Sequence, residues 1–96
     1  MKYSIEIKES ARKGVVEAFL YYENQQLALG KRFLDKLELL LIEISKHPKL
    51  YAEKYKQFRQ ALIKPFPYLV TIEIIDTTIV VHKVIYAKRN PVKLYK

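Results

Sequence analysis

Apolar and polar residues alternate from Lys2 to Lys8: Tyr3, Ile5 and Ile7 fall on one side, Lys2, Ser4, Glu6 and Lys8 on the other. A period of two predicts a strand with one face on a core. Glu9-Ser10 ends it, and Ser10 is placed to cap a helix starting at Ala11. The spacing then turns helical to about Asn24, with Ala11, Val15, Ala18, Phe19 and Tyr22 on one stripe. Gly14 lies inside that helix at a cost of ~1 kcal/mol relative to alanine, so it either permits close packing or is simply tolerated. A break near Asn24-Gln25-Gln26 leads to a second helix running to about Lys46. Its apolar stripe is Leu29, Phe33, Leu37, Leu40, Leu41 and Ile44, and Gly30 sits in its first turns. His47-Pro48 stops it, because a residue before proline is pushed out of the α region. So short a link predicts an antiparallel helical hairpin. Its leucines read as a core stripe.

Lys49 to Tyr55 reads as a polar loop. Gln57 to Ile63 reads as a strand, with Phe58, Gln60 and Leu62 facing one way and Arg59, Ala61 and Ile63 the other. Pro65 and Pro67 make a stiff corner that cannot continue a ladder. Two β-branched runs follow, Leu69 to Ile75 and Thr78 to Tyr86, joined by Asp76-Thr77. They predict an antiparallel hairpin at the centre of the sheet. The connection lacks an Asn-Gly or Asp-Gly pair, so the turn type stays open. The predicted order is β-α-α-β-β-β: an α+β fold in which a helical hairpin packs on a mainly antiparallel four-stranded sheet.

Composition narrows the class. The chain has 96 residues, half of them hydrophobic, which suits a single domain over residues 1–96 with its own core. No uncharged apolar run approaches ~18 residues, so no membrane span is expected. The first residues, Met1-Lys2-Tyr3-Ser4-Ile5-Glu6, do not read as a signal peptide. There is no cysteine, hence no disulfide framework and no thiolate site. Together these fit a cytoplasmic protein. Eighteen Lys and Arg against ten Asp and Glu give a net charge of +8, which implies a polyanion, an acidic partner or a solubility device.

Candidate chemistry is sparse. The two histidines, His47 and His82, lie in different elements without metal-ligand spacing, so no metal site and no cofactor is expected. His47 reads as a solvent-facing helix end. His82 falls within the last strand, on the face of Val80 and Val84 by alternation. Its ordinary pKa near neutrality suits acid–base work, but no carboxylate partner is identifiable. What remains is a cationic and aromatic set: Lys54, Lys56, Arg59, Lys64, Tyr86, Lys88, Arg89, Lys93 and Tyr95. Lys and Arg bind phosphates, and tyrosine stacks on bases or exchanges a proton. Such a set suits a metal-independent ribonuclease if Arg59, Lys88 and Arg89 converge at one end of the sheet. Arg59 and Arg89 also have structural readings, as partners of Glu23 or Glu53 or as caps of a helix end.

Several local motifs, taken in order, resemble the RelE/ParE superfamily of type II toxin–antitoxin toxins, nearer its ParE-like side. They are Tyr21-Tyr22-Glu23, Leu29-Gly30-Lys31-Arg32-Phe33-Leu34, Ile44-Ser45-Lys46-His47-Pro48, Phe58-Arg59, Pro65-Phe66-Pro67-Tyr68 and Tyr86-Ala87-Lys88-Arg89-Asn90-Pro91. The resemblance spans nearly the whole chain. It implies a toxin neutralised by a cognate antitoxin with an acidic or amphipathic C-terminal segment. It also implies one of two activities. ParE-like members inhibit DNA gyrase by binding; on that reading Arg59, Tyr86, Lys88, Arg89 and Lys93 contact the target. RelE-like members cut messenger RNA on the ribosome with basic residues and a C-terminal tyrosine; on that reading Lys88, Arg89 and Tyr95 are catalytic. The sequence departs from the nuclease pattern at Leu69, where an arginine is usual, and near Gln60 and Leu62, where lysines are expected. It also departs from ParE-like relatives at Tyr86, often histidine. Gyrase binding is therefore the leading expectation, with RNA cleavage as the alternative. A non-toxic relative that only binds antitoxin is the third reading.

Overall fold

The computed structural model describes residues 3–88, so Lys2, at the start of the first predicted strand, lies outside the described residues. The elements are β1 (Ser4–Ile7), α1 (Glu9–Gln25), α2 (Leu29–Lys46), a 3-10 turn (Pro48–Leu50), β2 (Glu53–Tyr55), β3 (Phe58–Leu62), β4 (Tyr68–Ile75) and β5 (Thr78–Tyr86). The sheet runs β1-β5-β4-β3-β2. Among the described residues only the β1–β5 pair is parallel. The predicted α+β order holds, with one correction: the sheet has five strands rather than four. β2 comes from the stretch read as a loop. Three polar-rich residues carry no periodicity of their own. They are held extended by pairing with the start of β3, Glu53 opposite Arg59 and Tyr55 opposite Phe58, across a turn in which Lys56 takes φ 51°. A short, charged edge strand is an ordinary way to end a sheet.

Both helices lay their apolar stripes on one face of the sheet. Ala11, Ala18, Phe33, Leu37 and Ile44 are buried against Ala61, Ile63, Phe66, Val70, Ile72, Ile79, Val81 and Val84. Each predicted stripe position is either buried or packed against this cluster, apart from Phe19, whose backbone and ring border Gly30 instead. No helix of the described residues is long and apolar enough to cross a membrane.

Two glycines set how closely the layers approach. A Cβ built on Gly14 would run into the carbonyl oxygen of Val84, so α1 lies directly on the backbone of β5. A Cβ on Gly30 would lie 2.7 Å from the Phe19 carbonyl oxygen and 2.8 Å from the Phe19 ring, so the same economy brings α2 onto α1. The hairpin link is tied by a side chain. Glu23 accepts the Ala28 N–H at 3.0 Å and the Gly30 N–H at 2.9 Å. Ala28 precedes α2 in the left-handed region, at φ 71°, and has no side chain able to cap. The carboxylate from α1 therefore satisfies donors that the start of α2 would otherwise leave open.

Ser10 is a second correction. It is not the helix cap: α1 begins at Glu9, behind Lys8, with no side-chain cap bond. The Ser10 hydroxyl instead donates to the His82 carbonyl at 2.6 Å. The helix start is thereby fastened to β5, and a hydroxyl engaged there cannot turn back to its own backbone.

Candidate functional site on the outer face of the sheet

The β4–β5 hairpin turns at Asp76, which takes φ 54°, a left-handed conformation that aspartate tolerates better than most residues. From this turn the register runs Ile75 opposite Thr78, Ile74 opposite Ile79, Glu73 opposite Val80 and Ile72 opposite Val81, and then slips, so that Thr71 pairs with Lys83. His82 is the extra residue of a β-bulge. Such bulges re-aim side chains and are over-represented beside active sites. The slip corrects the predicted alternation. His82 shares a face with Val80, but Val84 joins the core beneath the helices.

On the face turned away from the helices the bulge brings His82 to Glu73. Nε2 of His82 lies 2.9 Å from Oε1 of Glu73. The other carboxylate oxygen accepts the Gln57 amide at 3.3 Å, so Glu73 is held from two sides. The Phe58 ring stands at right angles to the imidazole, centroids 5.1 Å apart. Beside them Gln60 donates to the hydroxyl of fully buried Thr71 at 3.5 Å. The His82 and Glu73 side chains are 25% and 19% exposed, sheltered yet within reach of a ligand. This constellation escaped the sequence reading, although a signal for it existed. A two-residue turn after Ile75 sets Glu73 opposite Val80, and His82 then falls on the diagonal of the same face. Diagonal neighbours in an antiparallel pair are within reach of long side chains.

The predicted site residues fare differently. Arg59 lies in β3 with its side chain 19% exposed. Its Nη1 donates to the Tyr51 carbonyl at 2.7 Å, and Nη2 lies 3.9 Å from Glu53. The structural reading with Glu53 is therefore realised, whereas Glu23 is occupied by the α2 N-terminus. Tyr86 closes β5 opposite Tyr68, their rings 5.7 Å apart. Tyr22 meets Phe66 and Tyr68 edge-on at 4.8 Å and 5.9 Å. Burial pushes the Tyr22 hydroxyl pKa up, and the neighbouring tyrosines add to this, so Tyr22 keeps its proton. Lys88 is exposed just past β5, where the Ala87 N–H donates to the Pro67 carbonyl at 2.7 Å. The register does not bring Arg59 and Lys88 together. Arg59 is opposite Ile72, and Tyr86 is opposite Tyr68, about 13 Å further along the strand, with Lys88 beyond it. Arg89, Lys93 and Tyr95 lie outside the described residues.

The bonds of Arg59 carry a stability prediction. Arg59→Ala leaves the Tyr51 carbonyl without its charged donor and should cost about 1.5–3 kcal/mol. Arg59→Lys should recover little of this, because an ammonium cannot span the two partners as the guanidinium fork does. Urea titration of the three proteins checks both; an unchanged midpoint for Arg59→Ala would leave the arginine free for a partner.

No protein-family model matches the chain, and no curated protein matches it in sequence. Its structure, however, is similar to solved ones. A chain of the chromosomal ParDE TA system from P. aeruginosa matches with a TM-score of 0.77 at 8% identity, over 91% of this chain and 98% of that one. The isolated E. coli RelE toxin matches with a TM-score of 0.59 at 16% identity, over 97% and 93%. A chain of the E. coli DinJ-YafQ toxin-antitoxin complex matches with a TM-score of 0.53 at 19% identity, over 88% and 91%. Two helices on one face of a five-stranded sheet, in the order β-α-α-β-β-β with the short β2 added, thus make this a RelE/ParE-like toxin fold.

Proposed function

We propose that this chain is the toxin of a type II toxin–antitoxin pair, held in check by a cognate antitoxin. The observation that carries this reading is likeness along nearly the full length to chains from the ParDE and DinJ-YafQ systems and to the RelE toxin. The net charge of +8 suits an acidic antitoxin, whose capture electrostatic steering would speed.

Two targets remain, each with support of its own. Binding of DNA gyrase is favoured by the ParDE likeness, and by Gln60, Leu62 and Leu69 where RelE-like nucleases carry cations. RNA cleavage is favoured by the His82–Glu73 pair, which supplies an oriented acid–base group without a metal.

Brief induction in bacteria, followed by mapping of messenger RNA 5′ ends and assay of supercoiling by gyrase with purified chain, tests the proposal. Growth should halt. New 5′ ends place the target in RNA; intact messages with blocked supercoiling place it in gyrase. Normal growth of cells that accumulate folded chain would overturn the toxin reading and leave a relative that only binds antitoxin.

A further inference from the structure

We propose that the outer face of the helical hairpin is a self-association surface, and that its partner is a second copy of this chain. By helical spacing Val16 and Leu20 lie on the side of α1 opposite Ala11 and Ala18. Leu39 and Ile42 likewise lie on the side of α2 opposite Phe33, Leu37 and Ile44. These four are between 47% and 60% exposed, and Leu34 is exposed on the flank of α2. An exposed apolar residue standing alone is ordinary, but a group of them on one face marks an interaction site. None of the four serves the core, which lies on the other side of both helices.

Charge identifies the partner. Residues 9–46, which make up the hairpin, hold six Lys and Arg and six Asp and Glu, so this layer is neutral. The remaining twelve cations and four anions carry the whole net charge of +8. An acidic partner is drawn to that remainder, and the hairpin offers it no net attraction. A second copy meets no net repulsion at the hairpin, whereas pairing through the rest of the chain sets an excess of cations against an excess of cations. Two of the hairpin's cations are already answered from within, Arg12 by Glu9 at 3.7 Å and Lys31 by Asp35 at 3.1 Å. A surface holding both signs in equal number can also be complementary to itself across a two-fold axis. The size fits as well. Helices of 17 and 18 residues, side by side, offer about 500 Å² in flat projection and more as accessible surface. A standard interface takes about 800 Å² per partner, so the face suits a modest, concentration-dependent dimer.

Sedimentation equilibrium of the purified chain, with its concentration raised from about 1 µM to about 1 mM, should show the mass double from 11.4 kDa. Added salt should tighten the dimer, because it screens the repulsion between the two charged remainders. Dissociation by salt would mean that charged contacts join the copies, and would overturn the apolar face. Leu20→Lys and Ile42→Lys, one on each helix, should each keep the single mass at every concentration with an unchanged melting temperature. Leu62→Lys, at an exposed position of β3 between core residues Ala61 and Ile63, should still dimerise. A dimer that survives both helix substitutions would place the contact elsewhere and overturn the proposal. Should a lysine variant fail to fold, methyl resonances of the unaltered chain give the same answer. Those of Val16, Leu20, Leu39 and Ile42 should shift with concentration, and that of Leu62 should not. A folded chain of single mass throughout overturns the proposal; if those four resonances then shift only on addition of an acidic antitoxin peptide, the face belongs to the antitoxin instead.

Discussion

Gly14→Ala should destabilise the fold by about 3 kcal/mol, although alanine is the better helix former. Two effects oppose each other. In an exposed helix the exchange would gain ~1 kcal/mol. Here the new methyl meets the carbonyl oxygen of Val84, which is backbone and cannot rotate away. Val84 is 3% exposed and sits in β5 between β1 and β4, so the strand cannot retreat either. The helix must lift, opening the contact of Ala11 and Ala18 with the sheet, and overpacking of this kind costs about 1–3 kcal/mol or more. For a domain of this size the melting temperature should fall by on the order of 15 °C. A Gly14→Ala protein that melts at or above the original would show that α1 is not seated on β5 as described.

Phe33→Ala should cost about 3–5 kcal/mol, the usual range for removing a buried aromatic ring. Phe33 is fully buried and its ring meets three others: Tyr22 at 5.7 Å, Phe66 at 5.3 Å and Tyr68 at 5.4 Å. These rings come from α1, the corner after β3, and β4, so one side chain from α2 joins pieces far apart in sequence. Phe33→Leu keeps most of the volume and should cost less than half as much. Urea unfolding reads both as a drop in midpoint at constant slope. If the two substitutions were equivalent, ring contacts would matter less than volume at the centre of this core.

Much of the fold was legible because it is written in local periodicity. The alternation that puts Tyr3 and Ile5 on the core, the stripes from Ala11 to Tyr22 and from Leu29 to Ile44, and the paired β-branched runs each declare a face; Ile7, expected beside Tyr3 and Ile5, is instead 41% exposed at the end of β1. β2 was not legible, because Glu53-Lys54-Tyr55 is too short and polar to show a period and is extended only by its neighbour. Ser10 was misread for a related reason: its partner, the His82 carbonyl, is seventy-two positions away. The candidate site was the least legible part. Histidine and glutamate are unremarkable singly, and the slip of register at His82 cannot be read from hydrophobicity. Arg59 was singled out by charge, but charge does not say whether a guanidinium faces a target or, as here, a carbonyl of its own chain.

The parallel pairing of β1 with β5 has a consequence in time. Ser4 aligns with Thr78 and Ile7 with Val81, so the first described strand finds its neighbour only in the last. β5 also holds β4 on its other side and carries α1 on its backbone. During synthesis at about 5–20 residues per second, the helical hairpin emerges early but has no complete sheet to lie on. The outer face that carries Glu73 and His82 can form only after β5 has been made, because β5 lies between β1 and β4.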